Sequence, residues 1–237
     1  MKIVALLTGR GNSTLKDKNV LNINGKPVLY YSANAARKSS LITGFYCSSD
    51  DDKILNAAEV LGFQPIKRPV ELAKSDSQHV DAINHAISII TEYKELPDVL
   101  VVLLANNVTV KPNWIDDCVN ILINDPSISA VVPVYEDNDH HPLRAKKLNS
   151  EGELIMYEDT APLHLSTNRQ DLPKCFFLAH NFWILNVKSL LRHETGQPPW
   201  NFMGNRVIPY FIPESIDIHD ELDLCRAEQW VISNYFY

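Results

Sequence analysis

Apolar runs alternate with amphipathic stretches through the first ~130 residues, a pattern that predicts right-handed βαβ units and a mainly parallel sheet. The strand-like segments are Lys2–Leu7, Gly44–Ser48, Phe63–Ile66, Asp98–Leu104 and Ser129–Val134. The run "DVLVVLLA" is apolar at almost every position, as a central strand covered on both faces requires. Between these segments the spacing predicts helices over Pro27–Lys38, Asp51–Leu61, Asp76–Tyr93 and Asn113–Ile123. Pro27 suits a first helical turn, Gly62 a C-terminal cap, and Asn113 with Asp116 a capping pair.

The pattern changes after Val134. From about 135 to 180 the chain carries many charges, prolines and turn formers with little periodicity. Either an arm of hairpins, with "NSEGE" as one turn, or a disordered linker would read this way; the apolar and aromatic residues favour the arm. Regular structure resumes with Phe182–Val187 and Val207–Ile212, and a last helix, Glu221–Ser233, follows "SIDIHD". The expected fold is α/β: one doubly wound domain over residues 1–237 with this excursion protruding late in the chain.

A chain of 237 residues buries a full core for such a domain, and 45% hydrophobic with 22% charged residues is ordinary for a soluble protein. The formal charge of −7 argues against a general nucleic-acid binder. Cys47, Cys118, Cys175 and Cys225 are scattered without a C-x-x-C pair, which reads as buried free thiols in a reducing compartment. Met1-Lys2 leads straight into a strand, and no run approaches the ~18 apolar residues of a membrane span. The expected location is the cytoplasm, with no membrane partner.

Chemistry enters where the first strand ends, at "LLTGRGNSTLKDKN" (6–19). Ligands of open α/β sheets gather at the carboxyl ends of strands, and the first βα loop is a favoured site. Gly11 permits close backbone approach, Asn12, Ser13 and Thr14 are small donors, and Arg10, Lys16 and Lys18 add positive charge. Together they would cradle a polyphosphate, or else form a solvated charged loop. The stretch is neither a P-loop nor a G-x-G-x-x-G fingerprint. The Asp50-x-Asp52 pattern reads as a metal motif or, at a strand–helix junction, as an N-cap cluster. Adjacent His140 and His141 make a poor zinc pair, because neighbouring residues seldom face one metal.

In order and spacing, "GRGNSTLKDKN…NGKPVLYYSANAA", "CSSDDDKILNAAEVLGFQPIKRPVELA", "NRQDLP" and "SIDIHDELDL" resemble the sugar-acid cytidylyltransferases, the CMP-sialic acid and CMP-Kdo synthetase family. The resemblance spans nearly the whole chain. Three departures stand out: Thr14 follows Ser13 where the family has a lysine, Ala105-Asn106-Asn107-Val108 replaces Gln-Pro-Thr-Ser, and His219 stands at the second metal-binding aspartate with Asp220 beside it.

The resemblance implies a Rossmann-like nucleotidyltransferase fold and attack by a sugar acid's anomeric hydroxyl on the α-phosphorus of CTP, with Mg²⁺ as cofactor. The three departures leave open the same fold with another nucleotide or sugar, or a nucleotide-binding protein with little turnover. The resemblance makes Arg10 and Lys18 the phosphate contacts, with Gly11, Asn12, Ser13, Lys16 and Asn19, Lys16 standing in for the missing lysine. Ser77, Gln78 and His79 fall where cytosine and ribose are read, although capping of the following helix explains them equally. Asp217 and Asp220 are the oxygen ligands for Mg²⁺; His219 is a further ligand, a base or a substrate contact. The sugar side falls to Asn106, Arg144, Arg169 and Asn181. The family's arms pair subunits, which implies a homodimer with Tyr157, Phe176, Phe177 and Trp183 as aromatic anchors.

Overall fold

The six residues of Ile3–Thr8 (β1) are all buried, and they set the middle of an eight-stranded sheet. The structure is a computed structural model, and it describes residues 1–11, 14–159, 164–192 and 196–235. After β1 come a small hairpin of Asn22–Ile23 (β2) and Lys26–Pro27 (β3), then Leu29–Lys38 (α1) and Gly44–Ser49 (β4). Asp52–Val60 (α2), Gln64–Lys67 (β5), His79–Tyr93 (α3), Val99–Leu104 (β6) and Pro112–Asn124 (α4) continue the alternation. Ala130–Glu136 (β7), Lys146–Leu148 (β8), Leu154–Met156 (β9), Phe176–Leu178 (β10) and Phe182–Asn186 (β11) follow. Val187–Leu191 (α5), Val207–Phe211 (β12) and Glu221–Tyr235 (α6) close the chain.

β5, β4, β1 and β6 lie side by side and parallel, as the βαβ alternation demands. Beyond β6 the direction reverses. β11 runs antiparallel between β6 and β7, and β10 continues antiparallel along that same edge of β7. β12 returns parallel on the other edge of β7. The chain therefore bends at 179–181, where β10 gives way to β11. Asn181 O accepts from Leu104 N there at 3.0 Å, so this bend sits at the carboxyl end of β6.

Alternating side chains of β1 feed two cores. Ile3, Ala5 and Leu7 pack with α1, α2, α4 and α6; Val4 and Leu6 pack with α3 and α5. That is the doubly wound arrangement. The 135–180 segment is an arm: β8 and β9 form a hairpin turned by Asn149–Glu153, and β10 brings the chain back to the sheet.

Several local expectations need correction. Pro27 pairs with Asn22 in the β2–β3 hairpin, and α1 starts two residues later. Asn113 does not cap α4, whose N-cap is Lys111 with Pro112 in the first turn. Asp116 instead accepts from Ser39 and Ser40 at the end of α1, tying the two helices together. The third helix begins at His79 rather than Asp76, because Ser77 turns back to hydrogen-bond Glu71 O at 2.8 Å. Trp183 is fully buried in the sheet and is not available as an interface anchor. Cys225 is exposed, whereas Cys47 and Cys118 are buried; all four thiols are free. Gly62 does end α2, at φ +81°.

Candidate active site

A cavity of about 310 Å³ opens at the carboxyl ends of β1, β5 and β6. It brings together Arg10, Lys18, Asn19, Ser77, Gln78, His79, Asn106 and Asp217, eight of the residues singled out from sequence. Thr8, Gly9, Arg68, Leu72, Lys74, Ser75, Ala82 and Leu104 complete its lining.

The loop after β1 is held by its own polar groups. Asn19 Nδ2 donates to Arg10 O at 3.1 Å, and Gly11 N donates to Asp50 Oδ1 at 3.1 Å. A Cβ on Gly11 would lie 2.6 Å from Asp51 Oδ2, so only glycine permits this approach. Asp51 caps α2 by accepting from Lys53 N, and Asp52 pairs with Lys67; the Asp50–Asp52 cluster thus serves the loop and the helix. Arg10 gives one guanidinium hydrogen to Lys74 O at 2.9 Å and keeps its others. Lys18 is buried and donates to Ile218 O at 2.8 Å. Burial lowers its pKa, and the negative charge of Asp217 pulls it back up. Lys16 is exposed and does not line the cavity. Asn12 and Ser13 lie outside the described residues.

Asp217 reaches the cavity on a short extended segment that bridges Asn107, next to the end of β6. Asn106 Nδ2 donates to Asp217 Oδ1, and His219 Nε2 lies 3.0 Å from Asp217 Oδ2. Burial raises the Asp217 pKa, opposed by His219, Lys18 and His180. Asp220 is engaged elsewhere, since its Oδ1 accepts from Asp223 N at 2.9 Å and caps α6. The backbone of His219 is fixed by Asp223, which accepts from its N–H, and by Thr14, which donates to its carbonyl. Among the described residues no three His, Cys, Asp or Glu side chains gather as a metal cage. One cavity-facing carboxylate suits Mg²⁺ even so, since that ion takes one or two protein oxygens and fills its octahedron with phosphate and water.

Beside the cations Arg68 and Lys74, the stretch leading into α3 adds neutral polar groups to the lining. Gln78 stands at the N-cap of α3 without capping it, and Ser77 bonds to Glu71 O, so neither is explained by helix capping. His79 Nε2 lies 3.0 Å from Thr8 Oγ1. Burial first, then Arg68 and His180, lower the His79 pKa to about 4.

The arm residues stand apart. Arg169 donates to Asp139 Oδ2 at 2.6 Å, with Arg144 near the same carboxylate, and neither lines the cavity. Asn181 is fully buried; its amide donates to Thr109 O and its Oδ1 accepts from Phe182 N. His140 pairs with Asp137, and His141 Nδ1 accepts from Leu143 N.

Sequence reasoning missed Arg68. It is buried at the cavity wall with Nη2 on Ser48 O at 2.8 Å and Nε on Ser48 Oγ at 3.2 Å. The signal was present in "KRPVELA", where an arginine sits one residue past a strand end. Thr8, the last residue of β1, was likewise missed, because the apolar run ends at Leu7.

Residues 4–170 match a family model described as cytidylyltransferase. Over 95% of the chain, and 95% of the relative, the sequence is 24% identical to a pseudaminic acid cytidylyltransferase of Campylobacter jejuni. It is 25% identical, across 97% of the chain and 96% of the relative, to a CMP-N,N'-diacetyllegionaminic acid synthase of Legionella pneumophila. Among solved structures, a CMP:2-keto-3-deoxy-manno-octonic acid synthetase complexed with CTP superposes with a TM-score of 0.70 at 13% identity, covering 98% of this chain and 99% of the other. A 4-diphosphocytidyl-2C-methyl-D-erythritol synthase of Anaerococcus prevotii gives 0.66 at 12% identity, covering 98% of each chain. These superpositions establish a shared fold.

Proposed function

The chain belongs to the cytidylyltransferase family, and on that premise we propose that it activates a nonulosonic or related ulosonic acid as its CMP ester, using CTP and releasing pyrophosphate. The observation that carries this reading is the convergence of Arg10, Lys18 and Asp217 on one cavity at the carboxyl ends of the parallel strands. A triphosphate needs cations along its oxygens, and neutral polar side chains suit a pyrimidine; the cavity has the first in Arg10 and Lys18 and the second in Ser77, Gln78 and His79. The relatives named for pseudaminic and legionaminic acids, matched along nearly their full length, support a nonulosonic acid as acceptor.

The roles divide by chemistry. Arg10 grips phosphate oxygens in pairs through its remaining N–H groups. Lys18, anchored on Ile218 O, keeps two of its three ammonium hydrogens for the triphosphate. Its burial strengthens that contact, because little water competes for the charge. Asn106 and His219 hold the Asp217 carboxylate in one orientation. Asp217 is the residue that would hold Mg²⁺, which supplies charge neutralisation of the phosphates when bound. Alignment of the acceptor hydroxyl with the α-phosphorus then provides much of the rate, as held geometry does for any two-substrate transfer.

Pyrophosphate release from CTP, measured against sialic, pseudaminic, legionaminic and Kdo acids, tests the reading. Turnover with one or more of these acids is expected; release with none, or equal release from every nucleoside triphosphate, overturns it. The protein is further expected to pair through its arm. Leu148, Leu154 and Tyr157 of the hairpin expose 66%, 74% and 58% of their surface, the kind of apolar cluster a subunit interface covers. Light scattering at micromolar concentration should give twice the chain mass, and Leu154→Glu should halve it.

A further inference from the structure

The end of β1 and the start of α3 are joined through a hydroxyl with a single proton. Thr8 Oγ1 lies 3.1 Å from Leu103 O and 3.0 Å from His79 Nε2. A carbonyl oxygen only accepts, so the Thr8 proton goes to Leu103 and the hydroxyl accepts from His79. The reverse arrangement would set the lone pairs of two oxygens against each other at 3.1 Å. His79 therefore carries its proton on Nε2, and Nδ1 has a bare lone pair. Nδ1 has no partner among the described residues, and His79 lines the cavity beside Ser77 and Gln78. Behind the ring stands buried Trp183, 5.2 Å away between centroids. With its pKa held near 4, the imidazole is neutral at ordinary pH.

On the reading that CTP is the nucleotide, we propose that His79 Nδ1 is the acceptor that reads the exocyclic amino group of cytosine and so excludes UTP. Cytosine presents an N–H donor at the position where uracil presents a carbonyl oxygen. A bare imidazole nitrogen accepts from the first and meets the second lone pair to lone pair. Ser77 and Gln78 cannot make this choice, since a hydroxyl both donates and accepts and an amide can turn. Of the three, only His79 shows a single hydrogen-bonding sign, and Thr8 fixes it. Thr8 is thus a positioning residue, acting on the base through the histidine. A mismatched donor–acceptor pair of this kind discriminates between bases by roughly 10- to 100-fold.

Calorimetric titration of the protein with CTP and with UTP is the first test, and CTP should bind at least ~10-fold tighter. Thr8→Val removes the acceptor that pins the proton, frees the Nδ1–H form, and should raise UTP affinity until the ratio approaches one. His79→Gln should level the two nucleotides in the same way. An experiment on the unsubstituted protein stands beside these, in case either variant folds poorly. ¹⁵N spectra of the histidine rings should show His79 protonated on Nε2 alone, with Nδ1 shifting on CTP and not on UTP. A proton on Nδ1 in the free protein overturns the role whatever the affinities. Equal binding of both nucleotides overturns it while leaving the cytidylyltransferase reading in place. A protein that binds neither overturns that reading, and this role with it.

Discussion

Gly11 and Asp51 stand so close that a Cβ on the glycine would lie 2.6 Å from the carboxylate Oδ2. The contact links the loop after β1 to the N-cap of α2, because Asp51 also accepts from Lys53 N at 2.7 Å. A methyl group here forces either the loop or the cap to move. Gly11→Ala should therefore lower turnover about 10-fold or more, through misplacement of the phosphate-binding loop. Loss of the cap would add about 1 kcal/mol of instability. Steady-state rates and a thermal melt on the same sample check both; unchanged rates would mean the loop does not approach α2 this closely.

Arg10 and Lys16 flank the same loop yet differ in placement. Arg10 lines the cavity, whereas Lys16 is exposed and its charge acts on Asp17. Arg10→Ala should cost ~10²-fold in turnover, the scale of losing one donor aimed at developing charge. Lys16→Ala should stay within about threefold of the unsubstituted protein, since a solvated charge outside the cavity is screened. Equal losses in the two variants would show that Lys16 reaches the phosphates and substitutes for the lysine missing at Thr14.

The parallel half of the sheet was legible because its strands are long, apolar and separated by amphipathic helices. The reversal at β11 was not: Phe182–Asn186 reads as a buried strand in either direction, and only the fork between β6 and β7 decides. That Arg10, Lys18 and His79 would meet in one cavity was legible, Arg10 from its place just past the first strand and the other two from the family resemblance. The sugar side was harder to place. The resemblance gives Asn181 to the sugar, but the bend between β10 and β11 turns its amide to Thr109 O. Arg169 carries the right charge for a sugar acid, yet Asp139 neutralises it 2.6 Å away. Charge type is visible in a sequence; the partner that claims the charge is not.

Asp217 is held by two side chains, and their chemistry predicts how an amide would behave there. Asp217→Asn keeps an oxygen for Asn106 and offers an N–H to His219 Nε2, so the fold should survive. Turnover should fall ~10²-fold or more, because the negative charge beside Lys18 is gone. EDTA should inactivate the unsubstituted protein, with recovery on adding excess Mg²⁺, and should leave the residual rate of Asp217→Asn unchanged. A chelator-insensitive parent enzyme would remove the metal from the mechanism. A residual rate in Asp217→Asn that still responds to EDTA would move the metal to other ligands.

His79 also makes a prediction about stability that needs no substrate. Its folded pKa is depressed to about 4, through burial and the neighbouring Arg68 and His180, whereas an unfolded histidine titrates near ~6.5. Above pH ~6.5 neither state carries the proton, and the full contribution of the packed neutral ring is present. As pH falls toward 4 the unfolded chain binds a proton that the folded chain refuses, so stability is progressively lost. Below pH 4 both states are protonated at this site and the loss is complete. His79→Gln lacks this dependence while sharing every other titrating group. Urea midpoints of the two proteins at pH 7.5 and pH ~5 isolate the histidine, because carboxylates and the remaining histidines act alike in both. The parent protein should lose more stability between those two conditions than the variant. Parallel losses would mean that the ring titrates normally, and that Thr8 does not hold it in its neutral form.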